Sequence, residues 1–194
     1  DLLPIGINDI GFPRGTITEI YGVPSSGKTT LLQKLLATAT SAGEYCALVD
    51  ATDSFDPKTA AEAGCQFSRL LWVRCRGLEA AIKAADLLIH GGGWGVIALD
   101  LSGIPPQALR KLPMSWWYRF RRAIENTPSV LAVFETEPFV KNCAVMAVQL
   151  PTAGAIWSGG HTDFRVLRGA EVFLRPRKPV HAQRPDAFRS RALA

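Results

Sequence analysis

The sequence predicts an α/β domain: a mostly parallel central sheet with helices on both faces. Three observations carry that expectation. Short β-rich runs alternate with helical segments, the order produced by strands joined through crossover helices. The strand candidates are apolar almost throughout, as strands buried on both faces must be. One strand–helix junction, at residues 22–29, spells a glycine-rich phosphate loop.

The elements follow in order. Residues 16–21 are the first strand candidate, entered through the turn-like Gly11-Phe12-Pro13-Arg14-Gly15. A helix is expected over 28–42, where Leu31, Leu32, Leu35, Leu36 and Ala39 recur at helical spacing and Gly43 closes the C-terminus. Residues 45–50 form a second strand. Asp56 before Pro57 is a helix start, with Asp as N-cap and Pro at the first helical position, and Gly64 ends that helix. A strand at 70–75, an Ala-rich helix over 78–90 stopped by Gly91-Gly92-Gly93, and a strand over 94–100 come next. A helix at 115–126, a fifth strand at 130–135 and further strands at 144–150 and 171–175 complete a domain spanning 1–175. Residues 176–194 are rich in Pro and Arg without an apolar period and read as a basic tail.

Composition narrows the function classes. At 194 residues, 47% hydrophobic and 20% charged, the chain suits one packed globular domain. No window of 18 uninterrupted apolar residues exists, so no membrane span is expected. The opening residues read as the edge of a longer chain. Cys46, Cys65, Cys75 and Cys143 form no C-x-x-C pair, which fits reduced cysteine in a cytoplasmic protein. His90, His161 and His181 are scattered, without metal-ligand spacing. The net charge of +5 is concentrated late in the chain: residues 165–191 hold eight Lys or Arg against Glu171 and Asp186. Two readings stay open: Arg175, Arg177 and Lys178 meet an acidic partner, or the segment is a solvated tail.

Gly22-Val23-Pro24-Ser25-Ser26-Gly27-Lys28-Thr29 fits G-x-x-x-x-G-K-S/T at every fixed position, and Thr30 follows. The glycines let the backbone curl so that successive N–H groups face one anion, and the helix that begins there points its positive end at the same place. Lys28 is placed for the β- and γ-phosphates of a nucleoside triphosphate, and the Thr29 hydroxyl for Mg²⁺. A second metal-side group is expected at Asp100, which ends the apolar run Val96-Ile97-Ala98-Leu99. In a parallel sheet that strand end shares an edge with the phosphate loop.

From Phe12 to Pro57 the chain closely resembles the core of bacterial RecA recombinases, in the phosphate loop and in the aspartate-ended second strand, with the likeness visible to Asp100 and more faintly to the strand at 130–135. The resemblance implies a RecA-like P-loop fold, ATP with Mg²⁺ as ligands, and DNA repair as the setting. It also implies specific losses. The family ends its second strand Asp-Ala-Glu, and that glutamate activates the attacking water; here the segment is Asp50-Ala51-Thr52. Asp53 is the remaining candidate for the catalytic base, with a shorter side chain in a shifted position, so hydrolysis is expected to be slow or absent. Asp56 matches the family's adenine-side loop, while Thr59 replaces the aromatic residue that stacks on adenine. Glu135 and Thr136 stand where the family has the Asn-Gln pair that senses the γ-phosphate, and the long Gly-rich DNA loop is largely missing at Glu137-Pro138-Phe139.

This combination resembles the ImuA-type accessory proteins of bacterial mutagenesis cassettes. That implies a role in SOS-induced translesion synthesis beside error-prone polymerase components, including a Y-family homologue. Association with itself or with RecA is also implied. The competing expectation is an active DNA-dependent ATPase in which Asp53 serves as base. A scaffold that binds no nucleotide is disfavoured by the intact Lys28, Thr29 and Asp100.

The stretch Arg110–Arg122 carries five basic and four aromatic residues without an acid. One reading stacks single-stranded DNA bases on the aromatics while Arg119, Arg121 and Arg122 meet phosphates. The other is an amphipathic helix with Ser115 as N-cap, Trp116, Phe120 and Ala123 toward the core and the three arginines in water.

Overall fold

The computed structural model describes residues 1–7, 10–158, 166–178 and 186–191. His161, His181 and parts of the expected tail, 179–185 and 192–194, lie outside the described residues. Strands β3 (Thr16–Gly22), β4 (Cys46–Asp50), β5 (Leu70–Arg74), β6 (Val96–Asp100), β7 (Val130–Glu135) and β8 (Ala144–Leu150) run parallel in the order β8-β3-β7-β6-β4-β5. Helices α1 (Lys28–Ser41) and α2 (Pro57–Glu62) cover one face. Helices α3 (Leu78–Gly91), α4 (Pro106–Arg110) and α5 (Met114–Ile124) cover the other. The expected α/β architecture is therefore present.

The apolar strands explain the two layers. Along β7, Val130, Ala132 and Phe134 pack with α1, whereas Leu131 and Val133 pack with α3 and α5; β6 divides in the same way. Alternate side chains leave opposite faces of a strand, so a strand apolar throughout feeds both cores at once.

Several expectations need correction. Residues 2–13 hold two strands, β1 (Leu2–Ile7) and β2 (Ile10–Pro13), which pair antiparallel and bury Leu3, Ile5, Ile7 and Phe12 against α1. Pro4 and Gly6 are tolerated because this two-stranded ribbon lies outside the main sheet. The segment read as a basic tail also contains strand. β10 (Val166–Lys178) runs through Arg175, Pro176 and Arg177, and β11 (Asp186–Arg191) pairs with it. β10 joins the main sheet antiparallel to β8, with a register shift between Pro176 and Lys178, and β9 (Gly154–Ser158) pairs with its first half. A bulge beside Pro176 accommodates a residue that has no N–H to donate.

Helix α5 begins one residue earlier than expected. Pro113, not Ser115, is its N-cap, and Trp117, Phe120 and Ile124 form the buried face while Trp116 and Ala123 are half-buried. Positions 116 and 117 both stand at helical spacing from Phe120, and both rings contact it, at 6.0 and 5.9 Å between centroids. Trp117 is 1% exposed and packs on the sheet; burying a side chain of that size contributes about 3 kcal/mol. Arg119, Arg121 and Arg122 are exposed as expected. No helix among the described residues is long and apolar enough to cross a membrane.

Candidate functional site

The register of the parallel strands assembles the site. Asp50 lies opposite Asp100, and Tyr21 opposite Glu135, so the carboxyl ends of β3, β4, β6 and β7 share one edge. At the end of β3 the chain turns through residues 22–27 into α1. Gly27 caps that helix in the left-handed region (φ +90°), and a side chain there would collide with Val172 of β10. Gly22 is equally constrained: a Cβ would meet the Leu150 carbonyl and Ser26. Close approach requires both glycines, and the left-handed backbone adds a second requirement at Gly27.

A cavity of about 450 Å³ opens above this loop, lined by Pro24, Ser25, Ser26, Gly27, Lys28, Thr29 and Thr30 on one side. Thr52, Ser54, Ser102, Gly103 and Thr136 line the other, and Ala153 and Ala170 close it. Lys28 is buried, with its ammonium donating to the carbonyls of Gly22 and Val23. Burial lowers its pKa and the Asp100 charge acts in the opposite sense. Asp100 is 7% exposed and accepts from Ser102 N (2.9 Å), and burial raises its pKa. Ser26 Oγ and Thr136 Oγ1 are buried and find no hydrogen-bond partner among the described residues. Orphaned hydroxyls, a buried ammonium and glycine-tight backbone around one cavity fit a polyphosphate, which supplies the missing acceptors.

The loop after β4 is organised by Asp50, a residue whose structural role the sequence did not disclose. Its buried carboxylate accepts from Thr52 N and Ser54 N (3.2 Å each), from Phe55 N (3.0 Å) and from Trp72 Nε1 of β5 (3.3 Å). This turn presents Thr52 and Ser54 to the cavity but not Asp53. Asp53 sits at φ +56° and forms a two-pronged ion pair with Arg74 of β5 (2.6 and 2.5 Å). That pairing holds its carboxyl below the usual carboxylate range. Asp56 is the N-cap of α2, accepting from Lys58 N and Thr59 N (3.1 Å each), bonds that also lower its pKa.

Behind Thr136 lie two buried carboxyls, Glu19 and Glu135. Burial raises the pKa of Glu19, and the Phe139 N and Val140 N groups that donate to it (2.7 Å each) act in the opposite sense. The Glu135 oxygens find no hydrogen-bond partner within 3.5 Å among the described residues. Burial and the facing Glu19 push its pKa well above the ordinary value, against a weaker lowering by the Phe139 backbone, so Glu135 is the member that keeps a proton.

The remaining basic candidates divide. Arg119 pairs with Asp86 (2.7 Å) and lies over the Trp116 ring, at 5.6 Å from its centroid. Arg177 donates to Gln149 of β8, and Lys178 to the Ala144 carbonyl. Arg121, Arg122 and Arg175 are exposed.

A model of the RecA N-terminal domain family matches residues 2–109, which include the phosphate loop, the Asp50 turn and Asp100. Protein RecA of Chlorobaculum parvum is 40% identical over 99 residues, 50% of this chain and 28% of that protein. Protein RecA of Rhodospirillum centenum is 40% identical over 107 residues, 55% of this chain and 30% of its own length. The counterpart from Methylococcus capsulatus is 39% identical over 107 residues, 55% of this chain and 31% of the relative. The matched stretch thus spans less than a third of each of these relatives.

Proposed function

The chain belongs to the RecA family, and on that premise we propose that it binds ATP with Mg²⁺ but hydrolyses it slowly or not at all. In this reading it acts in DNA repair as an accessory to cytoplasmic translesion synthesis, through contacts with error-prone polymerase components such as a Y-family homologue. Residues 22–30 hold the triphosphate, with Lys28 on the β- and γ-phosphates. Thr29 and Asp100 hold the metal, which supplies charge neutralisation when bound. Asp56, as the cap of α2, is the proposed base-side polar group.

One observation carries the reading: the wall of the cavity facing the phosphate loop offers the hydroxyls of Thr52, Ser54, Ser102 and Thr136, with no carboxylate among the described residues that line it. A hydroxyl with a pKa far above neutral does not take a proton from water, so general-base assistance is absent there. The alternative, a DNA-dependent ATPase using Asp53, requires that carboxylate to leave Arg74 and enter the cavity.

Nucleotide titration together with single-turnover hydrolysis, with and without single-stranded DNA, tests the proposal. Binding without turnover is expected. Robust DNA-stimulated turnover abolished by Asp53→Ala would establish the alternative. Among the candidate contacts for nucleic acid or a partner (Arg119, Arg121, Arg122, Arg175, Arg177 and Lys178), Arg121 and Arg122 are adjacent and exposed on α5 and form the pair to test for single-stranded DNA. If they meet phosphates, replacing both with Ala lowers the slope of log affinity against log salt by about 1.4; an unchanged slope removes them.

A further inference from the structure

Resting on the nucleotide reading above, we infer that the nucleotide's base is gripped by Phe188, an aromatic side chain delivered from the last strand in place of the ring missing at position 59. A second cavity, of about 600 Å³, adjoins the phosphate cavity: Thr29 and Thr30 line both. A nucleotide whose phosphates lie on residues 22–29 therefore carries its sugar and base past the start of α1 into this second space. Its walls come from four elements: Gly6 of β1, Gln33 and Lys34 of α1, Thr59 and Glu62 of α2, and Phe188 and Arg189 of β11.

The α2 wall is polar. Gln33 Nε2 donates to Thr59 Oγ1 (2.6 Å), and the Thr59 hydroxyl donates in turn to the Asp56 carbonyl (3.1 Å). Those bonds fix the wall but give a planar base no face to lie on. Phe188 supplies the aromatic surface in the lining, half-buried against the same core as α1. It is also well anchored. Phe188 pairs with Val172 across the β10–β11 ladder, and Val172 is the fully buried residue against which Gly27 of the phosphate loop rests. The ring is thus registered to the phosphate site through one intervening residue. Stacking of a base on an aromatic ring uses the π-face that every base has, and a purine offers the larger one.

Calorimetric titration of the full chain with ATP and with inorganic tripolyphosphate tests this. Phe188→Ala and Phe188→Leu are expected to weaken ATP about tenfold while leaving tripolyphosphate within about twofold, and Phe188→Trp to restore ATP. The Leu variant keeps an apolar side chain in the core, so its loss reports the ring and not the fold. ATP affinity indifferent to residue 188 overturns this inference alone. Wild-type chain that binds neither ligand, or Lys28→Ala that binds both normally, overturns the nucleotide reading and this inference with it.

Discussion

The two walls of the phosphate cavity have had different fates. On one, residues 22–30 bring a buried ammonium and hydroxyls to the cavity on a close-packed loop, with glycines whose Cβ positions are filled by Leu150, Ser26 and Val172. On the other, the turn after β4 is just as tightly built, with four donors converging on Asp50, yet it presents the hydroxyls of Thr52 and Ser54 to the cavity. Both walls are ordered; they differ in the groups they offer the cavity. Selection for a stable turn and selection for a reactive one are separable, because the carboxylate that shapes this turn is not the one that would act in it.

The most direct way to break that comparison is to restore the missing group. Thr52→Glu should raise single-turnover ATP hydrolysis by about 10²–10⁴-fold, the usual contribution of a positioned general base. No gain would mean that the loop has lost its alignment as well as its carboxylate. Next in size, Asp50→Ala strands Thr52 N, Ser54 N, Phe55 N and Trp72 Nε1 without their acceptor and should cost about 3 kcal/mol in denaturant unfolding. Asp50→Asn, which keeps one acceptor oxygen, should cost less. If Asp50→Ala were neutral, the turn would not depend on this carboxylate.

The smallest effect concerns Glu135. Its folded-state pKa lies above the unfolded value near 4.5, so the native state holds a proton that the unfolded chain releases. Stability from this group is full below about pH 4.5 and falls as pH rises toward the raised pKa. Glu135→Gln, permanently neutral, should therefore melt about 2–4 °C above wild type at pH 8 and match it near pH 4. A constant difference across that range would show that Glu135 does not titrate against Glu19.

What was legible in the sequence was whatever a local pattern enforces. The phosphate loop is one, since Gly22, Gly27, Lys28 and Thr29 must be those residues at that spacing. The doubly buried strands β4, β6 and β7 are others, as is the Asp56-Pro57 start of α2. Illegible features depended on partners distant in the chain. Phe188 follows a Pro- and Arg-rich stretch and reads as tail, but the β10–β11 ladder places it beside α1. Asp53 looked available as a base until Arg74, which precedes a different crossover, was seen to hold it. Trp116 and Trp117 are equivalent by periodicity, and the packing of α5 on the sheet buries Trp117 and leaves Trp116 half-buried.

The contact between Gly27 and Val172 bears on where this chain can be cut. The region matched by the family model ends at residue 109, and it contains the whole phosphate motif. It does not contain the surface on which that motif rests. Val172 presses on the loop, Ala153 and Ala170 close the phosphate cavity, and Phe188 lines the adjoining one, all from beyond the matched stretch. A truncation series working inward from the C-terminus would therefore open the binding cleft before it exposed the central strands. The smallest recognisable fragment and the smallest working one are different lengths of the same polypeptide.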